Sequence, residues 1–332
     1  MEDYLFGRKH RIVMNDMTSD ERYSTYGIPQ GSSLSSLLFL VYVNDCLEIQ
    51  YNGYMQMYAD DTVLIYSSRN TKELHSSMQQ DLETLNEWMF NNSLSFNANK
   101  TKYVIFKNAN KIQHQLDPVI VNETPIEKVQ CSRYLGLIID EQMNWQVHIQ
   151  QVKSVLSPYN FVLKRTKYSV PVTTKISLYY AHIHSRLVHL ISIRGYTTTS
   201  NLQQLQVIQN KAIRSLFWHE YQTTSQDTEQ IMKKYKIMNI LKLRRFDSST
   251  LIYKIKNEMI RHNIDLPTFS NIHGYTTRGR NDFVIPRARM NILYNSIFVK
   301  GLAEYNQLPI MVKNAENFLR FKQKLRTHLL SS

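Results

Sequence analysis

Cysteine is nearly absent from this chain: 332 residues hold two, Cys46 and Cys131, neither in a CxxC pair. This argues for a reducing compartment and against a structural zinc site. Glycine and proline number only 9 and 8, so they act as punctuation, and no internal repeat or low-complexity block is visible. No long hydrophobic run occurs either. The most apolar stretch, Leu34 to Val43, contains Ser35 and Ser36 and stops at Asn44-Asp45, too short to span a bilayer. No basic-then-apolar leader stands at Met1-Glu2-Asp3, so neither secretion nor a membrane partner is expected.

With 42% hydrophobic and 20% charged residues, the chain can bury the core of one large or two moderate domains. Its net charge of +13 is unevenly spread. Residues 1–140 carry 12 Lys+Arg against 17 Asp+Glu, net −5, whereas residues 141–332 carry 28 against 10, net +18. A mildly acidic part followed by a strongly basic one suits a protein that acts on a polyanion, because clustered cations displace counterions from phosphates.

Within the acidic part lies YMQMYADDTVLIYS. Residues 54–59 and 62–66 are rich in Met, Tyr, Val and Ile and predict two strands, with Asp60 and Asp61 at a tight turn between them. The dipeptide alone is an ordinary solvated turn. Two carboxylates at one rigid point are also what a hard divalent ion needs, since Mg²⁺ is commonly held by one or two carboxylates together with substrate phosphates. Before the hairpin, Gly27-Ile28-Pro29-Gln30-Gly31-Ser32 predicts a turn, then a helix capped by Ser32 or Ser33 whose buried face is Leu34, Leu37, Leu38, Val41 and Tyr42. After it, Asn70 or Thr71 caps a helix with a Leu74, Met78, Leu82, Leu85, Met89 stripe. Short strands are expected at 94–97 and 102–107, a hairpin across 119–129, and a last strand at 134–140. Beyond Trp145 the period is helical: 145–168, 172–193, 200–218, 226–260 with a break near Met238-Asn239, and 315–330. The fold class is therefore α+β, an antiparallel sheet with packed helices followed by a mostly α-helical region.

Four segments, GIPQGSSLSSLLFLVYVND at 27–45, YADD at 58–61, LNEWMFNNSLSFNANKTKYVIF at 85–106 and YLGLIID at 134–140, resemble the successive palm motifs of the reverse transcriptases of non-LTR, LINE and jockey-like, retrotransposons. The run TTRGRNDFVIPRARMN and LAEYNQLPIMVKNAENFLRFKQKL at 301–325 resemble the C-terminal tails of arthropod elements of this class. The resemblance implies a partial polymerase palm at 1–140, a helical thumb or connection at 141–260 and a basic C-terminal region at 261–332. It implies nucleotidyl transfer by a two-metal mechanism with Mg²⁺, or Mn²⁺ in its place, held by Asp60 and Asp61. Pro29, Gln30, Gly31 and Ser32 match the turn that cradles the template base and incoming nucleotide. Lys100 matches the lysine of an NxxKT motif that serves the pyrophosphate, and Tyr134, Leu135 and Gly136 match the primer grip. The implied partners are an RNA template, a DNA primer and deoxynucleoside triphosphates, and the implied location is the nucleus or cytoplasm.

Two departures qualify this. Ser35-Ser36 replace the family's usual Gly-Pro, and no FxxxFD-like strand with a third carboxylate stands in residues 1–26. The expectation is an N-terminally truncated polypeptide, inactive or nearly so by itself, with a catalytically dead nucleic-acid-binding remnant as the alternative. His182, His184 and His189 lack a neighbouring acid and suit a surface or groove better than zinc. Basic groups beside aromatics, Lys164-Arg165-Lys167 with Tyr159 and Phe161, Lys233-Lys234-Lys236 with Tyr235 and Arg244-Arg245 with Phe246, suit a backbone grip.

Overall fold

The computed structural model describes all residues except 1, 25, 30, 107–116, 167, 219–227, 263, 273–278 and 332. They fall into two compact units, Met1–Tyr103 with Ile112–Lys128, and Val104–Lys111 with Val129–Ser332.

The first unit is α+β. After α1 (Glu2–Leu5), β1 (Lys9–His10) pairs with β4 (Arg22–Tyr23), and β2 (Val13–Met14) pairs with β3 (Met17–Thr18) across a turn at Asn15-Asp16. Then come α2 (Ser35–Val43), a 3₁₀ turn Asn44–Glu48, the hairpin β5 (Tyr54–Tyr58) and β6 (Asp61–Ile65), and α3 (Thr71–Asn91). The unit ends with β7 (Lys102–Tyr103), β8 (Ile120–Val121), β9 (Thr124–Pro125) and β10 (Glu127–Lys128). In α3 the Asn70 side chain accepts the Lys72 N–H, as an N-cap should, and Met78, Leu82 and Leu85 are buried. Met78 and Leu82 pack with Val119, Val121 and Ile126, and Leu64 and Tyr66 from the hairpin lean on the same cluster. Gln79 binds both backbone groups of Ile120, at 2.9 and 2.7 Å, extending the edge of β8 with a side-chain amide.

The second unit opens with the hairpin β11 (Cys131–Tyr134) and β12 (Leu137–Asp140) and is helical thereafter: α4 (Gln146–Arg165), α5 (Val172–Leu178), a π-helical segment Tyr179–His184, α6 (Ser185–Val188), α7 (Ile191–Arg194), α8 (Thr199–Leu216), α9 (Thr228–Lys234) and α10 (Ile240–Lys256). Short helices lead to α15 (Phe318–Ser331): α11 (Phe269–Ile272), α12 (Asn291–Tyr294), α13 (Leu302–Asn306) and α14 (Ile310–Lys313). Ile149 and Leu156 of α4 meet Leu205, Ala212 and Ile213 of α8 in one core, which Phe321, Leu325 and Leu329 of α15 also enter. That i, i+4, i+8 spacing puts one face of α15 inside. The break near Met238-Asn239 is real, with the Asn239 side chain accepting the Lys242 N–H.

Several expectations need correction: no strand forms at 94–97, and of the strand expected at 102–107 only β7 is present among the described residues. Among the described residues the strands do not form a continuous antiparallel sheet: they make six separate two-stranded ladders, and β7 with β10 is parallel. Most strands are two residues long, and so short a strand fills its pairing on one side before a third can join. Helix α2 does not present its predicted buried face. Leu34, Leu37, Val41 and Tyr42 are exposed, Val41 by 69%, and only Val43 of this helix is buried. The segment is apolar all round, so a 3-and-4 spacing drawn through it selects no particular side.

Candidate functional site

The β5–β6 hairpin closes through two residues. Tyr58 pairs with Asp61, leaving Ala59 and Asp60 as the loop, with Ala59 in the left-handed region at φ 53°. Two-residue hairpin loops need a positive φ at their first central position, where glycine is the unstrained choice. Asp60 therefore stands at the tip and Asp61 on the first strand residue, and both are exposed. Strand alternation sorts the rest. Met55, Met57, Thr62 and Leu64 turn inward, whereas Tyr54 and Tyr58 share the exposed face with Asp61.

The hairpin's base is held from α3 by a residue that sequence reasoning missed. Asp81, 2% exposed, accepts the Asn52 N–H at 3.0 Å, the Asn52 amide at 2.8 Å and the Gly53 N–H at 2.9 Å. An aspartate in the middle of a polar helical segment looks solvated in sequence. The available signal was its i+3 position from Met78, which turns it toward the apolar stripe.

The Gly27–Ser32 turn has Gly27 and Gly31 at φ 76° and 83°, conformations in which a β-carbon is penalised. Pro29 is half-buried and Gln30 lies outside the described residues. The Ser32 carbonyl accepts from Ser35 Oγ at 2.6 Å, and Ser32 Oγ accepts the Leu34 N–H at 3.3 Å, so the serine braces the turn just ahead of α2, but neither Ser32 nor Ser33 caps the helix, whose N-cap position is Leu34 with no side-chain cap bond. In the NxxKT segment, Asn97 Oδ1 accepts the Lys100 N–H at 3.1 Å and the Asn97 carbonyl accepts from Thr101. Lys100 is exposed and makes no ion pair among the described residues.

Tyr134, Leu135 and Gly136 lie in the second compact unit. Leu135 and Gly136 form the β11–β12 turn with φ 47° and 81°. His189 Nε2 sits 3.2 Å from the Leu135 carbonyl oxygen, and a β-carbon added at Gly136 would lie 3.0 Å from the same nitrogen. Glycine is thus required there twice, for its backbone and for the approach of the imidazole. His182 stacks on Tyr159, with ring centroids 4.7 Å apart. Among the described residues no group of three His, Cys, Asp or Glu could hold a metal. Of the basic groups, Arg165 lies over Phe161 and Lys234 over Tyr235, and Lys167 is outside the described residues. Arg244 is committed elsewhere: it pairs with Glu304 and lies over Tyr196.

Residues 1–139 match the family described as reverse transcriptase (RNA-dependent DNA polymerase). This segment belongs to the reverse transcriptase family. The match takes in the carboxylate hairpin, the Gly27–Ser32 turn, Lys100 and the Leu135-Gly136 turn. The protein named "Probable RNA-directed DNA polymerase from transposon X-element" of Drosophila melanogaster is 25% identical over 223 residues, 64% of this chain and 24% of that protein. The RNA-directed DNA polymerase from mobile element jockey of Drosophila funebris is 24% identical over 243 residues, 70% of this chain and 26% of that protein. Its Drosophila melanogaster counterpart is 23% identical over 249 residues, 71% of this chain and 27% of that protein. The chain spans about a quarter of the length of the curated relatives it matches. No solved structure matches. Within the reverse transcriptase segment the two aspartates are the carboxylates that the hairpin puts forward, and a two-carboxylate donor set fits an ion that takes its other ligands from substrate phosphates and water.

Proposed function

We propose that this chain is the palm and thumb portion of the RNA-directed DNA polymerase of a non-LTR retrotransposon, with the palm at 1–140, the thumb at 141–260 and a basic C-terminal region at 261–332 that engages RNA or DNA. The observation that carries this reading is the β5–β6 hairpin, which projects Asp60 and Asp61 from a base locked by Asp81 inside a reverse transcriptase segment. The reaction is displacement at the α-phosphorus of a deoxynucleoside triphosphate. The primer 3′-oxygen forms the new P–O bond, the bond to the β-phosphate breaks, and pyrophosphate leaves.

Asp60 and Asp61 would hold Mg²⁺, or Mn²⁺ in its place. When bound, the ion favours the deprotonated primer hydroxyl and offsets the charge of the departing pyrophosphate. Lys100, unpaired by any acid in the described structure, would supply a cation or a proton to a pyrophosphate oxygen. Pro29, Gln30, Gly31 and Ser32 would seat the template base and incoming nucleotide, and Tyr134, Leu135 and Gly136 the primer end.

The test is primer extension on an RNA template by the full chain and by Asp60→Ala. Incorporation that the substitution abolishes supports the assignment, and incorporation that survives it at saturating Mg²⁺ sinks Asp60 as a metal ligand. A second reading, a nucleic-acid-binding module without turnover, is favoured by the lack of a third carboxylate beside the pair among the described residues. Salt-sensitive binding to RNA-primed duplex with no incorporation would support it.

A further inference from the structure

The base of the aspartate hairpin holds a chemically labile pair. Asn52 is followed by Gly53, and no other Asn-Gly pair occurs in the chain. Asparagine is thermolabile, and most so before glycine, where no side chain shields the backbone nitrogen from the asparagine amide. Attack of that nitrogen on the amide carbon, Cγ, closes a five-membered succinimide.

Packing imposes the pair. A β-carbon at position 53 would lie 2.5 Å from Tyr66 Cε1, and Tyr66 leans on the core of this unit, so a bulkier residue that would slow the attack has no room. Position 52 is fixed by its donors. Its main-chain N–H and its side-chain amide both go to Asp81 Oδ1, at 3.0 and 2.8 Å, and the amide also reaches Gln80 Oε1 at 3.2 Å. A carboxylate in place of that amide has no hydrogen to offer either acceptor.

The same contacts hold the reaction back. The Gly53 N–H is donated to Asp81 Oδ2 at 2.9 Å, and attack requires this proton to leave. A carboxylate beside the nitrogen opposes the negative charge that builds as it does, and the amide under attack is anchored to that carboxylate and to Gln80. Asn52 is exposed, so water reaches it. Protection therefore comes from the buried Asp81, 2% exposed, and its hydrogen bonds.

We propose that Asn52 is a site of spontaneous deamidation, latched by Asp81 and released when the base of the hairpin opens. The Gly53 nitrogen bonds to Cγ, the bond from Cγ to Nδ2 breaks, and Nδ2 leaves as ammonia with the proton that Gly53 gives up. Water then opens the ring. Addition at Cγ gives aspartate, and addition at the main-chain carbonyl gives isoaspartate, whose backbone runs through the β-carbon. Either product sets a free carboxylate where an amide met Asp81, and two carboxylates in one site repel. The base does not relatch, so the hairpin that carries Asp60 and Asp61 is loosened irreversibly. The lifetime set in this way is independent of the reaction the hairpin serves.

The test is ageing of the full chain in mildly alkaline buffer, with conversion of amide to acid at Asn52 followed by mass spectrometry of chymotryptic peptides. Folded wild type should convert at least about tenfold more slowly than the same chain in urea, because reaction waits on local opening. Asp81→Ala should convert about tenfold faster than folded wild type, through loss of the charged hydrogen bonds. Asn52→Asp supplies the product directly, and its Gly53 amide should exchange hydrogen about tenfold faster than in the wild type while the α3 amides exchange as before. Conversion of folded wild type at the rate seen in urea overturns the latch, as does a folded Asp81→Ala that converts no faster than wild type. If Asp81→Ala does not fold, the urea comparison decides the latch. Unchanged Gly53 exchange in Asn52→Asp overturns the loosening, and absence of conversion even in urea overturns the site. No readout uses nucleotide incorporation, so failure of the polymerase reading is seen separately.

Discussion

Asp81 Oδ2 accepts the backbone N–H of Gly53 at 2.9 Å, so a carboxylate in the middle of α3 fixes the residue from which the aspartate hairpin departs. Its other oxygen takes both the main chain and the side chain of Asn52. Asp81→Ala would remove the one acceptor that these three donors share, although the exposed Asn52 can turn to water. We expect a loss of about 2 kcal/mol, since hydrogen bonds to charged groups contribute about 1.5–3 kcal/mol. Chemical denaturation measures the loss, and faster hydrogen exchange at the Gly53 amide than at α3 amides would localise it.

Gly53 is also constrained from the other strand. A β-carbon there would lie 2.5 Å from Tyr66 Cε1, and the Tyr66 ring is half-buried against the core. Gly53→Ala should destabilise by about 1–3 kcal/mol through overpacking. Tyr66→Val in the same chain should recover part of that cost, so a double-mutant cycle should give a coupling of about 1 kcal/mol. Additive losses would show that the clash relaxes by another route.

Ala59 occupies a left-handed conformation at the hairpin loop. Ala59→Gly should therefore stabilise the hairpin by about 1 kcal/mol, because glycine lacks the β-carbon penalty of that region. The midpoint of urea unfolding should rise with an unchanged m-value. A fall would mean that the entropy of the unfolded glycine outweighs the strain.

Burial, followed by the charges of Arg194, His189 and Arg133, pulls the His148 pKa down to about 4 from 6.5. The unfolded chain then binds this proton before the folded one does, so stability falls as pH drops from 6.5 to 4 and the loss is complete below that. The effect is at most about 3 kcal/mol. Denaturation at pH 7, 5.5 and 4 should show it, and His148→Gln should flatten that part of the profile.

What could be read from sequence depended on how local the determinant was. The β5–β6 hairpin, the α3 stripe and the Met238-Asn239 break follow from alternation, periodicity and capping over a few neighbours. Asp81 could not be read the same way, since its partners are 28 and 29 residues distant. Nor could the contact of His189 with the Leu135 carbonyl, made across 54 residues. Arg244 looked like a phosphate contact until the fold brought Glu304 to it from 60 residues away. Charge sums cannot reveal which cations are already spoken for.

The π-helical segment Tyr179–His184 sets an angular phase. A π turn holds more residues than an α turn, and each residue of an α-helix advances about 100°. Winding the same residues as α-helix would swing Arg186 and its neighbours about 100° around the axis, whereas deleting a single residue inside the segment would restore the α period and keep their direction. The direction in which α6 points its cations is thus written in a backbone irregularity two residues upstream of Arg186.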